Sequence, residues 1–175
     1  MLKAFKFRLY PTKEQELHFV QSMGCVRYIY NKALETKIKH YGATGKTLSY
    51  FDLQNTLLLE EKQNNEWLKT TYSQSLQMAL RNLDNAFTNF FRKQSKFPTF
   101  KKKSNSRQSI QYPQNISVDF KRNKVKLPKA GEVFCYFSRK FEGKIKTCTV
   151  SKTPTNKFFI SILVENDQEL PEKQP

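Results

Sequence analysis

The sequence predicts an α+β protein in which an antiparallel β-barrel is interrupted after its first strand by an inserted helical bundle. Residues 2–10 alternate apolar and polar side chains, and residues 73–93 repeat apolar side chains at three- and four-residue steps. After Pro98, short β-branched or aromatic segments alternate with turn residues. These patterns are typical of a strand, an amphipathic helix and an antiparallel sheet. Two separate domains, one helical and one β, remain the alternative.

The first predicted strand is followed directly by a helix. Within the strand, three apolar side chains would point one way and two basic ones the other: Phe5, Phe7 and Leu9 against Lys6 and Arg8. Pro11 ends this strand, because proline cannot donate a backbone hydrogen bond. Thr12 and Gln15 then have the spacing of a capping box, which predicts that a helix begins at about Lys13.

The helical region is predicted to contain several helices between residues 11 and 95. Gly24 is expected to break or bend the first helix, and Gly42 to end the next one. Residues 50–62 predict a short helix, and residues 73–93 predict one about 30 Å long. The apolar stripe of this long helix consists of Leu76, Ala79, Leu80, Leu83, Phe87, Phe90 and Phe91.

Five or six further strands are predicted after the helices, from the segments 109–112, 116–120, 124–128, 132–138, 144–151 and 157–165. The predicted domain boundaries follow from this order. They are a first barrel strand at 1–10, a helical recognition unit at 11–95, the remainder of the barrel at 96–165 and an acidic tail at 166–175.

The net charge of +16 indicates a polyanionic partner. Residues 96–164 carry 16 Lys and Arg against 3 Asp and Glu, so most of the excess lies there. The densest basic cluster lies beside Phe97 and Phe100 and contains Lys96, Lys101, Lys102, Lys103 and Arg107. Alternation would also place Lys124, Lys126, Lys144 and Lys146 on one exposed sheet face. Lysines that hold phosphates beside aromatic rings that stack on unpaired bases favour nucleic-acid binding.

Other classes of function are disfavoured. The longest apolar run, "FFISILV", is too short to span a bilayer, and the N-terminus lacks the apolar run of a signal peptide. Membrane partners are therefore not expected. Cys25, Cys135 and Cys148 are odd in number and form no CxxC pair, which predicts a reduced cytoplasmic protein without disulfides or a zinc site. No cofactor is expected.

A catalytic alternative depends on Asp119, Glu142 and Lys144. Two carboxylates and a lysine in this order match, loosely, the arrangement by which small nucleases hold Mg²⁺ and activate water. Because lysine is so common in this sequence, turn residues between strands are the simpler interpretation. A structural RNA-binding protein without sequence preference is the third possibility.

Five sequence blocks resemble the N-terminal part of the OrfB/TnpB family, which is encoded by IS200/IS605-type insertion sequences. The blocks are "KAFKFRLYPTKEQ", "GCVRYIYNKAL", "LQMALRNLDNAFTNFFR" with "FPTFKKK", "VKLPKAGEV" and "KFFISILVE". The resemblance implies a wedge-like barrel split by helices that are described as a helix-turn-helix. It also implies RNA-guided DNA cutting, with a guide RNA derived from the transposon end and a DNA duplex beside a short transposon-adjacent motif.

The resemblance also implies roles for individual residues. It places Tyr50 near the DNA motif, gives Gln77 a groove-reading role, and makes Gln111 and Gln114 complete the motif contacts. Lys6, Arg8, Arg27, Asn31 and Lys101–Lys103 resemble residues that position a nucleic-acid backbone. In the family a RuvC-like nuclease domain follows this region. The sequence ends before such a domain, so we expect that this chain binds without cutting, in the bacterial cytoplasm at the nucleoid.

Overall fold

The computed structural model describes residues 1–104 and 108–167, which form seven strands and four α-helices. The strands are β1 (Leu2–Tyr10), β2 (Gln108–Tyr112), β3 (Ser117–Asp119), β4 (Lys124–Leu127), β5 (Gly131–Tyr136), β6 (Lys144–Lys152) and β7 (Phe158–Glu165). The α-helices are α1 (Lys13–Thr44), α2 (Tyr50–Leu53), α3 (Leu59–Asn64) and α4 (Ser73–Phe91). A π-helical turn at Gln54–Leu58 joins α2 to α3, and a 3₁₀-helix spans Glu66–Thr70.

The chain divides into two units, a β unit and a helical unit. The β unit contains residues 1–17 and the described residues from 108 onward, and the helical unit contains residues 18–104. All helices therefore lie between β1 and β2 along the chain. The six segments predicted as strands after Pro98 each overlap one of the strands β2–β7, so these strands are confirmed with ends that differ by at most two residues.

The seven strands form one antiparallel sheet in the order β2-β6-β7-β1-β5-β4-β3. Strand β1 lies in its centre, pairing with β7 on one side and β5 on the other. Among the described residues β2 and β3 are the edge strands, and the sheet is not closed. The predicted β-barrel is therefore not confirmed. The sequence predicted antiparallel strands correctly, but the spacing of strands does not reveal whether the first and last strands pair.

The inner face of the sheet is aromatic. Phe5, Phe7 and Leu9 are buried as predicted, because alternate residues of β1 face the same side. Phe141 stacks on Phe5 with a centroid distance of 5.1 Å, and Phe137 meets Phe7 edge-on, also at 5.1 Å. Such aromatic pairs contribute about 0.5–1.5 kcal/mol beyond the area that they bury. They fix the orientation of β1 in the centre of the sheet.

The predicted capping box at the start of α1 is confirmed. The Gln15 amide nitrogen donates to Thr12 Oγ1 (3.2 Å), and the Thr12 amide nitrogen donates to Gln15 Oε1 (3.0 Å). Gln15 Nε2 also donates to the carbonyl oxygens of Ala130 (3.3 Å) and Glu132 (2.7 Å). One side chain therefore caps the helix and attaches its first turn to the β4–β5 connection and β5.

Helix α1 differs from the prediction at both of its glycines. It runs without interruption through Gly24 and Gly42 and ends at Thr44. Gly45, at a φ of 70°, adopts the left-handed conformation that was expected of Gly42. A helix interior tolerates glycine at a modest cost, and the buried Met23 and Cys25 on either side of Gly24 hold the helix in place.

The helical unit has one hydrophobic core, to which α4 contributes most of its predicted stripe. Leu76, Leu80 and Leu83 are fully buried there, together with residues of α1 and α2 such as Ile29 and Leu53. The prediction was wrong at Phe91, which is 70% exposed because α4 ends at this residue. Residues 50–64 form a helical segment with a π-helical turn at its centre, where one short helix was predicted.

All three cysteines are buried and free of disulfides. Burial raises the pKa of Cys135 to about 12 and also raises the pKa values of Cys25 and Cys148. We expect that a thiol reagent at neutral pH will label none of the three in the folded chain and all three after unfolding in urea, since the thiolate is the nucleophile. Rapid labelling of one thiol in native buffer, followed by mass spectrometry, would contradict this burial.

Candidate nucleic-acid interface

The outer face of the sheet combines cations with exposed aromatic rings. Register places Lys6 opposite Ser161, and Arg8 between Phe159 and Tyr136. We call this surface the cationic sheet face and define it by Lys6, Arg8, Tyr10, Lys124, Lys126, Phe134, Tyr136 and Phe159. Tyr10 is 50% exposed and Tyr136 58% exposed, so both rings are accessible to a partner.

The cations of this face lie over its rings. Lys6 Nζ is 4.8 Å from the centroid of Phe159, and the Arg8 guanidinium carbon is 5.5 Å from the same centroid. Arg8 also lies 5.0 Å from the Tyr10 centroid, and Lys124 Nζ is 5.7 Å from that of Phe134. Cation–π contacts hold long side chains upright on an exposed surface. The face therefore presents rings and positive charges next to each other.

Two acids share this face with its lysines, Asp119 opposite Lys124 and Glu132 opposite Lys126, and both lie within ion-pair distance of Arg122. Glu132 lies opposite Lys126 in the sheet, and its carboxylate accepts two hydrogen bonds from Arg122, at 3.0 and 2.9 Å. Those hydrogen bonds hold the pKa of the Glu132 carboxyl below its usual value. The three cations Arg122, Lys124 and Lys126 outnumber these two carboxylates, so this part of the face keeps a net positive charge.

Three other predicted sheet residues occupy different surroundings. Lys144 lies opposite Glu165, and Lys146 Nζ forms an ion pair with the Glu165 carboxylate at 2.8 Å. Gln111 in β2 lies opposite Thr149, which is in turn opposite Ser161 and therefore in the same row as Lys6. Gln111 is consequently on the cationic side of the sheet. Each lysine of the predicted quartet lies next to an acid, Lys124 opposite Asp119, Lys126 opposite Glu132, and Lys144 and Lys146 beside Glu165.

Tyr50 and Gln77 differ in accessibility. Tyr50 is only 7% exposed and packs in the helical core, with the guanidinium carbon of Arg81 at 4.2 Å from its ring centroid. The ring is thus a packing residue in this chain, which the resemblance alone did not reveal. Gln77 is half-buried on α4. Gln114 is exposed in the turn after β2.

The basic segment after α4 is attached to α1 through Asn31. Asn31 Nδ2 donates to the Lys101 carbonyl oxygen and Asn31 Oδ1 accepts from the Lys101 amide nitrogen, both at 2.8 Å. The Lys101 ammonium lies 4.3 Å from the Tyr30 centroid, and desolvation lowers its pKa. Asn31 therefore positions the basic segment. Lys96, Lys102 and Lys103 are exposed, and Arg107 lies outside the described residues.

The catalytic alternative is not supported by the arrangement of its three residues. Glu142 and Lys144 line a groove of the β unit, and Asp119 does not belong to that groove. Asp119 Oδ1 instead accepts a hydrogen bond from the Arg122 amide nitrogen at 3.1 Å, as a turn residue does. Within residues 1–104 and 108–167, no three His, Cys, Asp or Glu side chains lie together in a way that could hold a metal ion.

None of the helices in the described part of the chain combines the length and apolar character that a membrane span requires.

A basic antiparallel sheet with exposed rings, carried by the same chain as a helical unit, has the features of the nucleic-acid-binding class of proteins. A family described as the helix-turn-helix domain of IS605 OrfB proteins matches residues 1–46. In this structure that region contains β1 and the uninterrupted α1.

Three curated proteins are similar to this chain. InsQ of Escherichia coli K12, named as an RNA-guided DNA endonuclease, is 34% identical over 171 residues, which are 97% of this chain and 42% of InsQ. A Streptomyces pristinaespiralis protein with the same kind of name is 37% identical over 94% of this chain and 42% of its own length. The virulence protein VsdF of Salmonella dublin is 37% identical over 113 residues, 59% of this chain and 95% of VsdF.

The chain belongs to the OrfB/TnpB family of IS200/IS605-type insertion-sequence proteins. It spans 42% of the length of the two relatives that are named as endonucleases.

Proposed function

We propose that this chain binds nucleic acid as the RNA- and DNA-recognition part of a transposon-encoded, RNA-guided system. The cationic sheet face carries this proposal. Its lysines and arginine can neutralise phosphates while its exposed rings stack on unpaired bases, which is how single-stranded nucleic acids are held without sequence preference. The names of the two longer relatives support RNA and DNA as the partners.

In this proposal the two units have different partners. The sheet face, with Lys6, Arg8, Lys124 and Lys126, binds a guide RNA derived from the transposon end. The helical unit, through Gln77 and the lysines at 96 and 101–103, binds the DNA duplex beside a short transposon-adjacent motif. Gln77 can form a bidentate pair with adenine in the major groove, and lysines hold the backbone without reading the sequence.

Cutting is not part of the function proposed for these residues. The relatives' names describe an endonuclease, and the aligned region is 42% of each of those proteins. We assign recognition to this region and the chemistry to the part of the relatives outside the alignment. Such a protein would act at the bacterial nucleoid.

The test of this function is the salt dependence of binding to single-stranded RNA. If about five phosphates are neutralised, log Kd should change with log salt concentration with a slope of magnitude about 3.5, since each phosphate of a single strand contributes about 0.7. Fluorescence anisotropy with a labelled oligonucleotide measures the slope. A peptide nucleic acid of the same base sequence lacks phosphates and should bind far more weakly. A flat salt profile would remove the electrostatic basis of the proposal.

Sequencing of copurified RNA separates this function from nonspecific RNA binding. A guide-binding chain should enrich one transposon-end transcript, whereas a structural RNA-binding protein should retain transcripts in proportion to their abundance.

A further inference from the structure

An open groove of about 540 Å³ lies on the helical unit, away from the residues that carry the proposed function of the sheet. Its walls are aromatic and its rim is charged, with Tyr28, Trp67 and Phe100 beside Arg27 and Lys32. Grooves of this size accommodate small organic groups.

One wall is built from Trp67 and Tyr28. Their rings meet edge-on with a centroid distance of 4.9 Å, and Trp67 remains 42% exposed. The Tyr28 hydroxyl donates to Glu61 Oε2 at 2.8 Å. The Trp67 carbonyl oxygen accepts from Thr70 Oγ1 at 2.7 Å. The first bond anchors the Tyr28 ring through its hydroxyl, and the second holds the backbone of Trp67, whose indole stays accessible in the lining of the groove.

Phe100, which is 50% exposed, also lines the groove. The two hydrogen bonds from the Asn31 side chain to the backbone of Lys101 hold the adjacent residue against α1. Asn31, which the resemblance presented as a backbone contact, thus also determines where Phe100 stands.

Gly24 is a further residue that lines the groove. This glycine lies within the long helix α1, where alanine would favour the helix more, and no positive φ requires it. A Cβ at this position would lie 3.6 Å from an Arg27 guanidinium nitrogen, so it would occupy the space directly beside that cation. The missing side chain leaves the groove open.

Two cations among the residues that line the groove give it a positive charge. Arg27 and Lys32 line it, and the acid Glu35 on the same rim is paired with Lys39 at 2.6 Å. That ion pair balances the only carboxylate among the groove residues, so the two remaining cations attract an anionic group.

We propose that this groove binds one unpaired nucleotide, with its base between Trp67 and Phe100 and its phosphate beside Arg27 and Lys32. The inference rests on the proposed nucleic-acid function and adds a defined stacking site to it. Aromatic rings that flank a base, with cations for its phosphate, are the combination by which proteins hold unpaired bases.

Trp67 is the only tryptophan in the chain, so its fluorescence reports directly on this groove. We expect a short single-stranded RNA to quench the emission of the full chain saturably. A strand of the same length and with the same phosphates but without bases should also bind, as measured by anisotropy. It should not quench the Trp67 emission. Equal quenching by both strands would overturn the stacking proposal, because it would show that no base enters the groove.

Two variants test the geometry by different routes. Gly24→Gln should fill the groove while retaining a good helix former, and Phe100→Ala should remove one wall. Each should weaken binding of single-stranded RNA by about tenfold, within the range for loss of one stacked base. The matched control is Tyr41→Ala, which removes an aromatic ring that is 63% exposed on the same helix but outside the groove.

The outcomes separate this inference from the function on which it rests. Wild-type affinity in both variants, with salt-dependent binding intact, would remove the stacking site and leave the proposed function standing. If the wild-type chain did not bind RNA at all, both the stacking site and the proposed function would be wrong. If an aromatic peptide quenched Trp67 and RNA did not, the groove would be a protein-docking site and the proposal would be wrong.

Discussion

Replacing Lys6 and Arg8 together by glutamate is expected to weaken binding of single-stranded RNA at least about 20-fold at about 0.1 M salt. Each phosphate contact contributes about 0.7 to the slope of log affinity against log salt concentration. Two lost contacts therefore lower the slope by about 1.4. Between about 1 M and about 0.1 M salt, this corresponds to a loss of affinity of about 20-fold. Both side chains lie over Phe159, and neither is opposite an acid in the sheet, so neither new carboxylate faces an existing one across the strands.

The matched control for this variant is the double substitution of Lys13 and Lys46 by glutamate. Both lysines are exposed and lie outside the cationic sheet face, and the change in net charge is identical. We expect the control to lose only the small, long-range part of the attraction. Equal losses in the two double variants would show that net charge alone drives binding and that the sheet face is not the site. Anisotropy titrations at several salt concentrations supply both the affinities and the slopes.

Gly143→Ala is expected to destabilise the β unit by at least about 3 kcal/mol. Gly143 has a φ of 124°, which L residues rarely adopt and which costs about 1–3 kcal/mol. An added Cβ would also lie 2.4 Å from the Glu165 carbonyl oxygen, closer than real Cβ atoms approach. Gly143 immediately precedes β6, so relief of the clash would separate the first pair of the β6–β7 ladder, Lys144 and Glu165.

Gly42→Ala is the control for this substitution. Gly42 lies within α1, and a Cβ there would meet nothing within 4 Å. Alanine should therefore stabilise the helix by about 0.5–1 kcal/mol. Thermal unfolding followed by far-ultraviolet circular dichroism compares the two variants with the wild-type chain. If the Gly143→Ala chain unfolded at the wild-type temperature, residue 143 would not need the positive φ or the close approach to the Glu165 carbonyl oxygen.

The periodic elements of this protein could be predicted from the sequence because each has one buried side. The alternation of Phe5, Phe7 and Leu9 determines the buried face of β1, and the three- and four-residue steps of α4 determine its core face. The two glycines of α1 were misinterpreted for a physical reason. Glycine is permitted to end a helix but is not obliged to, and burial of neighbouring side chains decides the outcome.

The surface sites could be predicted only in part, because they depend on register. Lys6 and Arg8 were recognised as a basic face of β1. The rings of Phe134, Tyr136 and Phe159 were not connected with them, since the pairing of β1 with both β5 and β7 is not encoded in local periodicity.

The groove on the helical unit was not foreseen for a similar reason. Phe100 was noted beside the lysines, but Trp67 and Gly24 are distant from it in sequence and meet only in the folded unit. The sequence signal for this groove was Gly24, a glycine inside a long helix. The sequence analysis interpreted it as a break in the helix.

The double hydrogen bond from Asn31 to Lys101 has an entropic consequence for the basic segment. A lysine side chain gives up as much as about 2 kcal/mol of rotamer freedom when it is immobilised. The Asn31 amide fixes the backbone of Lys101 and the Tyr30 ring holds its ammonium, so folding has already restricted this residue. An anionic partner that reaches this ammonium meets a preorganised group, and the ordering penalty that usually diminishes a lysine contact is largely absent there.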